Sequence, residues 1–142
     1  MKRDPALVGL SHDHHNALFT AMKLRRATEE TAGAAREALA AYWEDHGRTH
    51  FRLEEEVLYP AYAGHGDAYD ELIARAMCDH IAIRQMIAAV LKDPNPPLDR
   101  LHALGDLMNE HVRLEERKLF PLIEQALPAP ELAALAIALQ EP

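Results

Sequence analysis

The chain has 142 residues, 49% of them hydrophobic, a formal net charge of -8 and one cysteine. That size supports one core-bearing domain over 1–142, and the acidic balance disfavours nucleic acid and anionic membrane as partners. The lone Cys78 excludes a disulfide framework and a thiolate zinc site. The polar start MKRDPALVGLSHDHH, with no long apolar run anywhere, leads us to expect a cytoplasmic protein.

Alanine and leucine dominate and β-branched residues are few, so an all-α fold is expected. Asp4-Pro5 reads as an N-cap followed by proline at the first helical position. The helix it opens is predicted to reach about Thr28, with Leu7, Leu10, Ala17, Ala21 and Leu24 along one face. Gly9 weakens the first turn and makes Ser11 the alternative start. A second helix follows Thr31-Ala32-Gly33 and runs to about Tyr59, where Pro60 and Gly64-His65-Gly66 interrupt it. Its inward face is predicted to hold Leu39, Trp43, His46, His50, Leu53, Glu54 and Val57. The third helix spans about Asp67 to Lys92, with Ile73, Met77, His80, Ile83, Ile87 and Leu91 in register. After the break Asp93-Pro94-Asn95-Pro96-Pro97, the fourth runs from about Leu98 to Gln125 and carries Leu101, Leu104, Met108, His111, Glu115 and Leu122. A short fifth helix follows Pro130. Four long helices joined by short loops predict an antiparallel four-helix bundle with this fifth helix packed across it.

The informative feature is an internal repeat. HFRLEEEVLYP at 50–60 and HVRLEERKLFP at 111–121 share His, Arg, Leu, Glu, Glu, Leu and Pro at the same places. Asp13-His14 on the first helix has its counterpart in Asp79-His80 on the third. Residues four apart lie on one helical face, so His50 points with Glu54 and His111 with Glu115. At about 100° per residue, Glu55, Glu56 and Glu116 rotate off that face and are expected in solvent.

A carboxylate buried unpaired among leucines costs several kcal/mol, and two facing each other cost more. A bound cation removes the conflict. Imidazoles and carboxylates at one level of a bundle suit iron or manganese better than calcium or magnesium, and carboxylates can bridge two ions. A lone His on an apolar face is usually a hydrogen-bonded core residue, but that reading does poorly when the pair recurs with matching Asp-His partners. The metal ligands predicted are His14, His50, Glu54, His80, His111 and Glu115, with His15 the alternative to His14. His46 is expected to support a ligand, with an extra ligand as the alternative, Asp13 and Asp79 to orient their neighbours or face solvent, and His12, His65 and His102 to lie on the surface. Cys78 is expected to be a buried or inert thiol, and Tyr42 and Tyr59 to pack ordinarily.

Asp13-His14, His50-x-x-x-Glu54, Asp79-His80 and His111-x-x-x-Glu115, with Leu58-Tyr59-Pro60 and Leu119-Phe120-Pro121, resemble the hemerythrin-like, or HHE cation-binding, family over nearly the whole chain. The resemblance implies a single HHE domain holding two non-haem iron ions bridged by Glu54, Glu115 and an oxo or hydroxo group. His14, His50, His80 and His111 would be the terminal ligands. It also implies dioxygen, nitric oxide or peroxide as small ligands, an electron donor as partner, and roles in oxidant stress, sensing or iron handling. Turnover of peroxide or nitric oxide, or iron-centre repair, are the alternatives. Oxygen carriers of the family place a further histidine four residues after the third-helix one, where this chain has Arg84, and an aspartate where it has Glu116. Reversible oxygen transport is therefore not expected. Repair proteins of the family usually bring a cysteine-bearing N-terminal segment that this sequence lacks, which counts against the repair alternative.

Overall fold

The computed structural model describes residues 2–140; the outermost positions of the expected domain span lie outside them. Five helices and no strands are found among the described residues. Asp4 caps the opening as expected, its carboxylate accepting from the Ala6 N–H, and a 3-10 turn over Pro5–Leu7 leads into α1, Val8–Arg25. Ser11 therefore lies inside a helix already formed. The second helix, α2, is continuous over 32–63, from Ala32–Tyr42 through to Tyr59–Ala63. α3 is Glu71–Lys92 and starts behind an Asp70 cap, four residues after the expected Asp67. α4 covers 98–126, and α5, Ala129–Gln140, begins one residue before Pro130. No described helix is long and apolar enough to cross a membrane.

Pro60 does not interrupt α2. A proline in an α-helix lacks the N–H for its own bond, and its ring presses on the carbonyl four residues back. Here the turn before it is widened into a π turn over Glu54–Leu58, where the Tyr59 N–H reaches back to the Glu54 carbonyl. The same widening over Glu115–Leu119 precedes Pro121, and a third occupies Trp43–Gly47. A π turn carries the chain around with one extra residue, which moves that carbonyl away from the ring and shifts the phase of everything beyond. The predicted inward face of α2 shifts accordingly: Phe51 and Leu58 are buried, Leu53 and Val57 are half-buried, and His46 is exposed.

α1 packs on α2 and α4, and α3 packs on the same two, so the long helices close a ring. α5 lies over the Pro5–Leu7 turn and the Glu54–Leu58 turn, burying Leu135. Inside are two separate apolar cores. α1 runs from the core containing Leu10 to the one containing Ala17, and α2 returns from Phe51 to Leu58. α3 and α4 repeat the passage through Ala76 to Ile83 and Val112 to Leu119. Between the cores, each helix contributes polar side chains.

α1 and α4 approach each other closely at Gly105. A Cβ there would stand 2.7 Å from the Ala21 carbonyl oxygen and 2.9 Å from the Arg25 nitrogen, so backbone would have to move. Overpacking of this kind costs about 1–3 kcal/mol. Gly105→Ala is expected to lower the thermal midpoint by roughly 3–10 °C for a domain of this size. Differential scanning calorimetry checks it. An unchanged midpoint would mean the two helices separate freely.

Candidate metal centre

Between the two cores lie His14 of α1, His50 and Glu54 of α2, His80 of α3, and His111 and Glu115 of α4, all buried. They form two overlapping clusters, His14–His50–Glu54–Glu115 and Glu54–His80–His111–Glu115, whose ligand atoms lie within 4.8 Å of one another. All six predicted side chains are thus brought together. His15, the alternative, is exposed.

Every imidazole of the cluster is held from behind by a carboxylate. The His14 Nδ1–H donates to Glu116 (2.6 Å) and that of His50 to Asp13 (3.1 Å). The His80 Nδ1–H donates to Glu55 (2.5 Å) and that of His111 to Asp79 (3.1 Å). With the proton fixed on Nδ1, each Nε2 presents a lone pair to the interior, the arrangement that supports metal-binding histidines. There, Nε2 of His50 and of His80 stand 3.2 and 3.1 Å from the two oxygens of Glu54. Those of His14 and His111 stand 3.3 and 3.0 Å from Glu115 Oε1.

These inward atoms lack partners of their own. His14 Nε2, both oxygens of Glu54 and Glu115 Oε1 are buried without a hydrogen bond among the described residues. His80 Nε2 and His111 Nε2 face each other at 3.2 Å, a hydrogen bond only when one of the two rings carries a second proton. Neighbouring ligands at about 2.1 Å from one ion and about 90° apart would be separated by about 3.0 Å, so the spacing is that of adjacent positions around a metal. Buried polar groups are otherwise almost always satisfied. The donor set of imidazole nitrogens and carboxylate oxygens fits a transition-metal cation.

Without an ion, protons take its place. Burial pushes His50 down, but the charge of Glu54 and the hydrogen bond to Asp13 outweigh it and carry the ring up to about 10. His111 is likewise pushed down by burial and carried up to about 10 by Glu115 and Asp79. His14 and His80 are raised too, against their burial, by the carboxylates bonded to them. Glu116, pushed up by burial, is held at about 2 by its hydrogen bonds from His14 and Ser11.

Several expectations are overturned. Glu55 and Glu116 are not solvated but bond His80 and His14, because the π turn that begins at Glu54 or Glu115 keeps the next residue closer to the interior than a 100° step would. Asp13 and Asp79 do not orient their own neighbours; each reaches across to the histidine on the following helix. Tyr59 does more than pack, since its buried hydroxyl donates to Glu115 Oε2 at 2.7 Å. Tyr42 is buried against the core, as expected. His46 lies outside the cluster, and Cys78, expected as a buried or inert thiol, is exposed and lies outside it too. His12 and His65 are exposed, and His102 is half-buried beside the Ala27 carbonyl. Arg84 bonds Glu55 at 2.7 Å. The sequence did hold one signal for the missed carboxylates: Glu55 and Glu116 occupy equivalent places in the repeat.

A protein from a Nostoc species described as a DNA nickase is 29% identical over 130 residues, covering 85% of this chain and 33% of that protein. The chain thus spans about a third of the length of the curated relative it matches. No solved structure shows a significant match to the chain. The hemerythrin HHE cation-binding domain matches residues 7–123, a stretch that contains all six inward-facing side chains, and the chain belongs to that family.

Proposed function

We propose that the protein is a single-domain antiparallel four-helix bundle, with a short fifth helix, that holds two iron ions and binds dioxygen, nitric oxide or peroxide at them. The observation that carries this reading is the set of orphaned inward atoms, each supplied by an imidazole fixed at Nδ1 or by a fully buried carboxylate. Glu54 offers one oxygen towards His50 and the other towards His80, so it can bridge two cation positions. Glu115 faces His14 and His111 through Oε1 while Oε2 accepts from Tyr59. His14 and His50 would terminate one position, His80 and His111 the other. Bound iron would supply open coordination positions and one-electron chemistry, with reducing equivalents from a separate donor.

Arg84 decides between transport and one-way chemistry. An arginine is always charged and cannot ligate a metal, and this one is engaged with Glu55. Among the described residues, no further imidazole stands in either cluster to close the coordination. Air added to the reduced, iron-loaded protein and then removed is expected to leave it oxidised. Full, repeated recovery of the reduced spectrum without added reductant would sink this part of the reading. Consumption of peroxide or nitric oxide under an added electron donor separates turnover from simple binding.

A further inference from the structure

Two arginines stand behind this centre in matching constellations whose arginine and phenyl ring the sequence repeat does not generate. Arg84 bonds Glu55 at 2.7 Å, Glu55 holds the His80 Nδ1–H, and the guanidinium lies 5.4 Å over the Phe51 ring. Phe51 in turn stacks on His80, 3.8 Å between centroids and 6° from parallel. On the other side Arg3 bonds Glu116 through its side chain (3.2 Å) and its carbonyl (2.7 Å). Glu116 holds the His14 Nδ1–H, and Arg3 lies 5.5 Å over Phe120, which stacks on His14 at 5.3 Å and 20°.

Inheritance from the repeat does not account for this. The position equivalent to Arg84 on α1 is Leu18, and the one equivalent to Arg3 before α3 is Tyr69. The repeat likewise pairs Phe51 with Val112, and Phe120 with Tyr59. The repeat supplies the histidine and carboxylate of each arrangement, but its arginine and phenyl ring come from different elements, one arginine from the segment before α1 and the other from α3. The recurrence points to a shared demand: a histidine must be kept from turning and its carboxylate must stay charged and in place.

Resting on the two-metal reading above, we infer that Arg3 and Arg84 are positioning residues, each serving one metal position by fixing the carboxylate and phenyl ring that hold His14 and His80. A guanidinium suits the task because its planar fork bonds a carboxylate while its face covers an aromatic ring. Loss of a partner behind a metal-binding histidine typically costs about 10–100-fold in affinity. An arginine acting through that partner should sit at the low end of this range. Arg75 is the internal control. It bonds Asp79 behind His111 at 3.1 Å, but its side chain is 59% exposed and it covers no ring.

The test is titration of the metal-free full chain with Co2+, an open-shell probe whose visible bands report its ligands. Wild type should take up two ions. Arg84→Gln should weaken one of them about tenfold and leave the other within about threefold, with Arg3→Gln doing the mirror image and Arg75→Gln doing little. Anomalous scattering from crystals given less than one Co2+ should place the retained ion beside His14 and His50 in Arg84→Gln, and beside His80 and His111 in Arg3→Gln. In a Glu55→Gln background, Arg84→Gln should add no further loss, which a merely structural role would not predict. Arg84→Lys, which keeps the charge without the planar fork, should recover only part of the affinity and shows whether a weak variant has simply misfolded. The proposal is overturned if both ions weaken equally in each single variant, if neither weakens, or if the Glu55 and Arg84 losses add. Wild-type protein that takes up no Co2+ would instead remove the two-metal reading itself.

Discussion

Replacing Glu54 or Glu115 with alanine is expected to take the protein from about two bound ions per chain to well below one, a loss of 100-fold or more in affinity by the order of magnitude of ligand removal. Both side chains are completely buried, and each faces histidines from both clusters, so neither change can be confined to one position. Glu54 stands between His50 and His80, with one oxygen close to the Nε2 of each. Glu55→Ala should act differently. It removes only the acceptor of the His80 Nδ1–H and should weaken one ion by about 10–100-fold while sparing the other. Metal content after dialysis, measured on purified protein of each variant, separates the two patterns. Equal losses at Glu54 and Glu55 would mean that Glu55 is itself a ligand and that the widened turn presents it fully to the interior.

Removing the metal is expected to lower the thermal midpoint by roughly 15–20 °C when the free ion is held near 100 times its dissociation constant. That condition contributes about 2.7 kcal/mol per ion, and two ions shift the midpoint of a domain this size accordingly. At a fixed free-ion concentration the effect should grow with pH, because a single set of protons governs both the metal-free stability and the affinity. In the metal-free protein His50 and His111 are raised to about 10, so the stability they contribute is complete below their ordinary value near 6.5 and is lost as pH climbs towards 10. Metal binding must displace those same protons, so affinity for the ion rises over that range. On the acid side, Glu116 is held at about 2, and its contribution, present above the ordinary carboxylate value near 4.5, is lost as pH falls towards 2. Midpoints of chelated and loaded protein across pH 6–9 check the account; the gap between the two curves should widen steadily. A constant gap would mean that the buried histidines are neutral in the metal-free state.

The six inward-facing side chains were readable from the sequence because their signal is short-range and doubled. His50 and Glu54 lie four apart on a single helix, the same pair recurs at His111 and Glu115, and no alternative explains both. What escaped reading depends on contacts between helices or on departures from the ordinary helical period. Asp13 bonds a residue 37 positions away, and nothing near it in the sequence names His50. Arg3 stands 113 positions from Glu116. The π turns account for the rest. A reading at a fixed 100° per residue turns His46 inward and Glu55 outward, and both are reversed where the helix widens. Pro60 looks like a terminator, yet it follows a widened turn that accommodates its ring, as Pro121 does inside the fourth helix. A proline placed identically after two copies of one motif was the trace of that widening in the sequence.

The most direct measurement is the metal content of protein purified without oxygen from iron-replete cells, combined with Mössbauer spectroscopy of the same sample. The account predicts about two irons per chain, held in two imidazole–carboxylate environments and magnetically coupled once oxidised, as expected for ions sharing Glu54. A fully loaded preparation with a single ion per chain, or with zinc in place of iron, would contradict it.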